Sequence, residues 1–391
     1  MAEMTVIATA TFGLEAPVAR EVKKLGYENT HTENGRITFN AGPEAIPRAN
    51  LWLRQADRVL VQMGRFPATT FEQLFESTRA LPWADWLPEN ANFPVSGKSV
   101  QSGLFSVPDC QAIVKKAVVE SLKTRYHRQW FDEDGPRFAI EVSLLKDEAT
   151  ITLDTTGPGL HKRGYRTLTG PAPLKETLAA ALIDLSYWNH ERPLFDPFCG
   201  SGTIPIEAAM MGLNLAPGRK RDFAAEAWPA FPAKLWRQAR AEADDLAKTD
   251  RTLRIRGTDH DERVLSLARV HARQAGVEEQ IHFQCLSFEE LKSKEKYACM
   301  IANPPYGERL EDRATVETLY RQMGKMAKEH ETWSYYILAT HPAFETLFGR
   351  KADRRRKLYN GRIECQYYQY AGPRPPRRDA DPAEAESGER R

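Results

Sequence analysis

Four residues, Asn303-Pro304-Pro305-Tyr306, end an apolar run, and their types suit one kind of chemistry. An amino group on a nucleobase is a poor nucleophile because its lone pair is delocalised into the ring. The side-chain oxygen of Asn303 and the carbonyl of Pro304 offer two acceptors for its two N–H bonds. Held in that way, the developing lone pair would be aimed at an electrophile. Two prolines stiffen the backbone that carries both acceptors. Tyr306 offers a flat ring on which a base can stack. A turn without chemistry is the plainer reading of Asn-Pro-Pro, and it weakens if a ligand loop lies upstream in the right order.

Such a loop exists. FDPFCGSGT (195–203) follows a strand pattern and opens a helical one, IPIEAAMMG. Gly200 and Gly202 leave the turn bare, so backbone can lie against a ligand. The helix start behind it supplies unpaired N–H groups. Asp196, at the strand end, can accept from an ammonium, and Phe198 and Thr203 share the turn. A dinucleotide fingerprint would require glycine at position 205, where this chain has Pro205. The next strand-end acid, Asp259 in RGTDHDE, stands where a ribose diol needs a bidentate acceptor. Bound S-adenosylmethionine fits these groups, because its sulfonium methyl is already activated and needs chiefly positioning. A pyrimidine C5 mechanism would need a nucleophilic cysteine. Cys199 falls in the turn, and Cys285 and Cys299 in strand patterns, so all three read as small packing residues.

The elements that must position these groups follow from periodicity. From residue 174 the chain alternates strand and helix, which implies a parallel sheet covered on both faces. Its last two strand patterns, RRKLYN and RIECQYYQY, meet at Asn360-Gly361, a type I′ hairpin signal. A mostly parallel sheet closed by an antiparallel hairpin is the shape of a class I methyltransferase domain. The segment 216–250, with Trp228 and Trp236, reads as an insertion between the ligand turn and Asp259.

Upstream, strand patterns at 5–11, 36–40 and 58–63 alternate with helical ones at 14–26, 44–55 and 71–80. A second cluster holds strands near 95–101, 137–145 and 149–154 and a helix at 109–126. Together they predict an α+β module. Residues 157–173, rich in glycine and proline, read as the linker, and 371–391 as a disordered tail.

These pieces resemble the THUMP-domain RNA methyltransferases, specifically the bacterial large-subunit ribosomal RNA guanine-N2 methyltransferase family. The resemblance rests on LHKRGYR (160–166), APLKETLAAALI (172–183), DPFCGSGT and NPPYGERL. It implies an α/β chain with a Rossmann-like methyltransferase domain at 174–370, preceded by a ferredoxin-like domain at 1–60 and a THUMP domain at 61–156. It implies that Asp196, Phe198, Gly200, Gly202, Thr203 and Asn303 line the S-adenosylmethionine site and that Asp259 binds its ribose. Asn303, Pro304, Pro305 and Tyr306 would hold the target amino group, and Lys175, Glu176 and Thr177 would flank the cofactor. Ser287 stands where relatives carry an acid beside the adenine, with Glu289 as a substitute.

The remaining 391-residue arithmetic is permissive. Lys+Arg 55 against Asp+Glu 53 leaves a formal charge of +2, so a nucleic-acid surface must come from local clusters. Lys115, Lys116, Lys123 and Arg128 form one, with Arg125 and His127. Lys162, Arg163 and Arg166 form another, with His161. As phosphate contacts they would bind RNA without reading its sequence. A third run spans 350–357. Five scattered cysteines without a C-x-x-C pair speak against a metal site, the N-terminal residues do not read as a signal peptide, and no long apolar stretch suits a membrane span. A cytoplasmic protein is expected.

Overall fold

The computed structural model describes residues 3–166, 174–306 and 310–376. Its N-terminal half contains β1 (Met4–Ala10), α1 (Glu15–Lys24), β2 (Thr30–Glu33), β3 (Arg36–Ala41), α2 (Ala45–Trp52) and β4 (Ala56–Pro67). Then come α3 (Phe71–Arg79), β5 (Val95–Val100), α4 (Val107–Tyr126), β6 (Ala139–Leu145) and β7 (Glu148–Asp154). All seven strands form one sheet in the order β2-β3-β1-β4-β7-β6-β5. The joint is β4, which pairs with β1 through Ala56–Val61 and with β7 through Leu60–Pro67, running straight through residue 60. The segments read as ferredoxin-like and THUMP therefore share a continuous backbone ladder.

The second half contains α5 (Glu176–Asp184), β8 (Leu194–Asp196), α6 (Thr203–Gly212), α7 (Ala233–Asp245), β9 (Ile255–Asp259), α8 (Glu262–Ala275) and β10 (Ile281–Cys285). It continues with β11 (Cys299–Ala302), α9 (Leu310–Glu329), β12 (Ser334–Ala339), α10 (Phe344–Phe348), β13 (Arg354–Asn360) and β14 (Ile363–Tyr370). The order is β10-β9-β8-β11-β12-β14-β13, and neighbours among the first five are parallel while β14 runs antiparallel to β12 and β13. This is the expected doubly wound sheet with its terminal hairpin. The chain winds from β8 outward to β10, then returns to β11 on the other side of β8. That reversal opens a crevice at the carboxyl ends of β8 and β11, where α/β sheets bind ligands.

Several local expectations are corrected. The hairpin loop is Gly361-Arg362, not Asn360-Gly361, because Asn360 still pairs with Ile363 as the last rung. Only Gly361 of the two takes a positive φ, +63°, so the type I′ turn, which needs two, does not form. Cys285 is exposed rather than packed, since the end of β10 faces solvent. The insertion after α6 is not a loose excursion. Its Phe223, Trp228, Phe231 and Trp236 are buried in the core of the N-terminal half, with Trp228 stacked on Phe138 at 4.4 Å between ring centres. Arg48 of α2 also pairs with Glu242 of α7 at 2.8 Å. The segment thus clamps the two halves together. Of the expected linker, residues 157–166 pack closely, with Leu160, Arg163 and Tyr165 buried; residues 167–173 lie outside the described part, as does the expected tail from 377.

Candidate active site

The glycine turn is built by two backbone demands. Gly200 and Gly202 take φ of +52° and +84°, which disfavour a side chain. A Cβ on Gly202 would also meet the Ala268 Cβ at 3.0 Å, so glycine lets the start of α6 press against α8. A Cβ on Gly200 would find only Val264 Cγ1, 3.9 Å away, so this side of the turn is open.

Two carboxylates frame that opening. Asp196 is 2% exposed, and its Oδ1 accepts from the Phe198 N–H at 3.2 Å. Burial, reinforced by the nearby Asp259 charge, pushes its carboxyl up to about 8, against the Phe198 hydrogen bond. A buried carboxyl with spare acceptor capacity suits a cationic ligand group. Asp259 accepts from the Gly200 N–H (3.0 Å) and the Asp261 N–H (3.1 Å), which fix its orientation. Two such bonds leave lone pairs for a diol. These groups fit S-adenosylmethionine: an acid for its ammonium, an acid for its ribose and bare backbone between.

Phe198 stacks on Phe288 at 5.4 Å, giving the site an aromatic wall that sequence reasoning missed because Phe288 sits in an unremarkable loop. Ser287 donates its hydroxyl to Glu290 at 2.6 Å and so caps the short turn beginning at Phe288. The carboxylate bonded to Ser287 is Glu290. Thr203 accepts from Arg166 Nη2 at 2.5 Å, and Arg166 also pairs with Glu176 at 3.1 Å. Arg166 thereby ties the starts of α5 and α6 together. Of the residues opening α5, Lys175 is exposed while Glu176 and Thr177 are buried.

Asn303 leaves the sheet one residue beyond Ala302, on the strand next to β8. Its Oδ1 accepts the Tyr306 hydroxyl at 2.6 Å. That hydroxyl accepts in turn from Asn360 Nδ2 (3.2 Å) and the Cys365 thiol (3.7 Å). Burial raises the Tyr306 phenol above its usual range, so it remains a neutral donor. Tyr320 donates to the Pro305 carbonyl at 3.3 Å, anchoring the Pro304-Pro305 backbone on α9. Tyr306 is thus folded onto Asn303 rather than standing free as a stacking surface. Asn360 and Cys365 went unnoticed because nothing local in the hairpin marks them.

The basic candidates divide. Arg163 is corrected outright: it is 2% exposed, pairs with Glu207 of α6 at 3.3 Å and donates to the Leu160 carbonyl. It cannot reach RNA from there. Arg166 also points inward, as described. Lys115 pairs with Glu133 (2.6 Å) and lies over the Phe93 ring, Lys123 pairs with Glu120 (2.9 Å), and Arg128 with Glu89. Lys116 and Lys162 are exposed without an acidic partner among the described residues.

Comparison with known proteins adds a family. Models of an RMKL-like methyltransferase domain, an RlmL ferredoxin-like domain and a THUMP domain match residues 163–369, 5–60 and 68–154 respectively. The Bacillus subtilis (strain 168) candidate RNA methyltransferase YpsC is 50% identical over 372 residues, 95% of this chain and 96% of its own. A solved structure from Listeria monocytogenes str. 4b F2365, described as a predicted N6-adenine-specific DNA methylase, is 52% identical with a TM-score of 0.92, covering 95% of this chain and 97% of that one. SMU.472, described as a candidate methyltransferase complexed with SAH, is 46% identical with a TM-score of 0.91, covering 96% and 100%.

Proposed function

This chain belongs to the RMKL-like methyltransferase family, and from that premise we propose that it methylates the exocyclic N2 amino group of a guanine in RNA, with large-subunit ribosomal RNA as the substrate ahead of transfer RNA. It is an S-adenosylmethionine-dependent methyltransferase acting on RNA. The observation that carries the reading is Asn303 at the end of β11, beside the strand that ends in Asp196. The motif resemblance given above supports guanine N2. An adenine N6 amino group would meet the same two acceptors, and the Listeria structure's description favours that second reading for its own protein.

S-adenosylmethionine, when bound, supplies the electrophilic methyl group. The chain's own residues do the rest. Asp196 and Asp259 would hold the donor beside the glycine turn, through its ammonium and its ribose respectively. Asn303 Oδ1 and the Pro304 carbonyl take the two N–H bonds of the target amine, which withdraws its lone pair from the ring. Tyr306 competes with the target amine for Asn303 Oδ1, and once released its ring can lie on the base. A base paired in RNA must be extruded to enter, at a cost of a few kcal/mol. The methylated nitrogen sheds its surplus proton to water.

The test offers labelled S-adenosylmethionine with separate undermethylated pools of ribosomal RNA, transfer RNA and DNA. Label confined to the ribosomal pool is expected. Label in DNA alone would overturn the RNA substrate, and label in transfer RNA alone would overturn the ribosomal one.

A further inference from the structure

The third basic run leads into β13, at the edge of the methyltransferase sheet, and the N-terminal half abuts that strand. Arg356 Nη1 donates to the Gly13 carbonyl at 3.1 Å. Gly13 has φ of +89°, and a Cβ on it would stand 2.8 Å from the Lys357 carbonyl, so only glycine lets this turn close on the strand edge. The residue before it, Phe12, is 53% exposed, an unusual position for a phenylalanine held by a tight turn. Its ring meets Tyr359 of β13 edge-on, with centroids 6.1 Å apart and an interplanar angle of 71°.

Position makes this pair notable. Tyr359 precedes Asn360, whose amide holds the Tyr306 hydroxyl, so the aromatic pair stands at the end of β13 nearest the target-amine site, on the opposite face of the strand from that contact. Exposed cations lie along the same hairpin. Lys357 Nζ lies 5.5 Å from the Tyr359 ring centre but is paired with Glu364 at 2.6 Å, the carboxylate that also accepts the Tyr359 hydroxyl, so it is not a free phosphate contact. Arg354 and Arg362 are exposed on the same hairpin, and among the described residues neither has an ion-pair partner. Aromatic faces interleaved with unpaired arginines are what single-stranded nucleic acid needs: rings for bases, charges for phosphates.

We propose that Phe12 and Tyr359 form a stacking site for an unpaired base adjoining the target nucleotide, with Arg354 and Arg362 taking its flanking phosphates. The site rests on the reading of RNA as substrate. It is assembled from both halves of the chain, so the N-terminal half completes the mouth of the catalytic domain. An extruded target leaves its neighbour unstacked, and a second aromatic platform would hold that neighbour.

The test titrates full-length protein with a fluorescein-labelled, unstructured 20-nucleotide RNA, read by anisotropy at two salt concentrations. The variants are Phe12→Ala, Tyr359→Ala, the double variant and Phe12→Leu. The double variant is expected to bind roughly 5- to 100-fold more weakly, by the same factor at both salts. Phe12→Leu should behave like Phe12→Ala, because leucine packs but does not stack, and affinity for S-adenosylmethionine should not change. A double variant that binds like wild type, or a Phe12→Leu variant that does, overturns the stacking site. Wild type that binds this RNA but methylates no RNA pool would instead sink the methyl-transfer reading.

Discussion

The Tyr306 hydroxyl donates to Asn303 Oδ1 at 2.6 Å, so one of the two lone pairs of the acceptor that the reaction requires for its target is taken by the protein's own phenol. Asn360 and Cys365 complete the hydroxyl's hydrogen bonding from β13 and β14. Substrate entry therefore exchanges one donor on Asn303 for another. Tyr306→Phe removes the competitor and keeps the ring. The expected result is a KM for RNA lowered by about fivefold, the value of one hydrogen bond of ~1 kcal/mol. Tyr306→Ala loses the ring too and should raise KM. Initial rates against RNA concentration separate the two. A higher KM for Tyr306→Phe would show that the hydroxyl assists rather than competes.

Asp196 makes cofactor binding pH-dependent. Its folded carboxyl is raised from 3.8 to about 8, so below pH 8 the unliganded site holds a proton that an incoming ammonium must displace. Cofactor Kd should fall as pH rises from about 6 to 8, by at most tenfold per unit, and then level. Stability runs the other way. The folded state holds this proton when the unfolded chain has lost it, so stability present at low pH is lost as pH rises through about 8. Asp196→Asn should therefore raise Tm at pH 8, by up to about 5 kcal/mol of stability, while weakening cofactor binding. Calorimetry on both proteins measures both effects. A flat pH dependence with an unchanged Tm would contradict the burial argument.

Arg163 and Glu207 form a buried ion pair with side chains 1% and 0% exposed, and Tyr165 also donates to Glu207 at 3.3 Å. The pair binds the segment after β7 to the cofactor helix α6. Breaking it with Glu207→Ala leaves a buried guanidinium unpaired and should cost about 3–5 kcal/mol. Replacing both by Met and Leu should recover much of that loss. Denaturant melts of the three proteins decide it; equal losses in the single and double variants would mean the pair itself stabilises the fold.

Lys162 and Arg163 are neighbours with opposite fates. Lys162→Ala should reduce the salt slope of RNA binding by roughly one phosphate contact. Arg163→Met should leave that slope unchanged, because its guanidinium faces Glu207. Binding curves over a range of salt concentrations check both, and a reduced slope for Arg163→Met would return this arginine to the RNA surface.

Much of the site was legible because its residues lie at strand ends. Asp196 and Asn303 each follow a short apolar run, and Asp259 ends the strand pattern LRIRGTD; those local signatures survive into the fold. What escaped was carried by contacts distant in sequence. Asn360 meets Tyr306 across 54 residues, and only the register of β13 on β14 brings it there. Arg163 looked like surface because a basic run gives no sign of burial. Its partner Glu207 sits inside an otherwise apolar helix that reads as plain core. The insertion was visible as an interruption, but its four buried aromatics could not show which core they would join.

The most direct test digests methylated RNA to nucleosides and identifies the product by mass spectrometry, for wild type and Asn303→Ala at matched cofactor saturation. The account predicts N2-methylguanosine from wild type. It predicts a loss of about 10²- to 10³-fold in kcat for Asn303→Ala, comparable to removing one preorganised hydrogen-bond partner. N6-methyladenosine would contradict the guanine assignment while keeping the site. Undiminished turnover by Asn303→Ala would contradict the site itself.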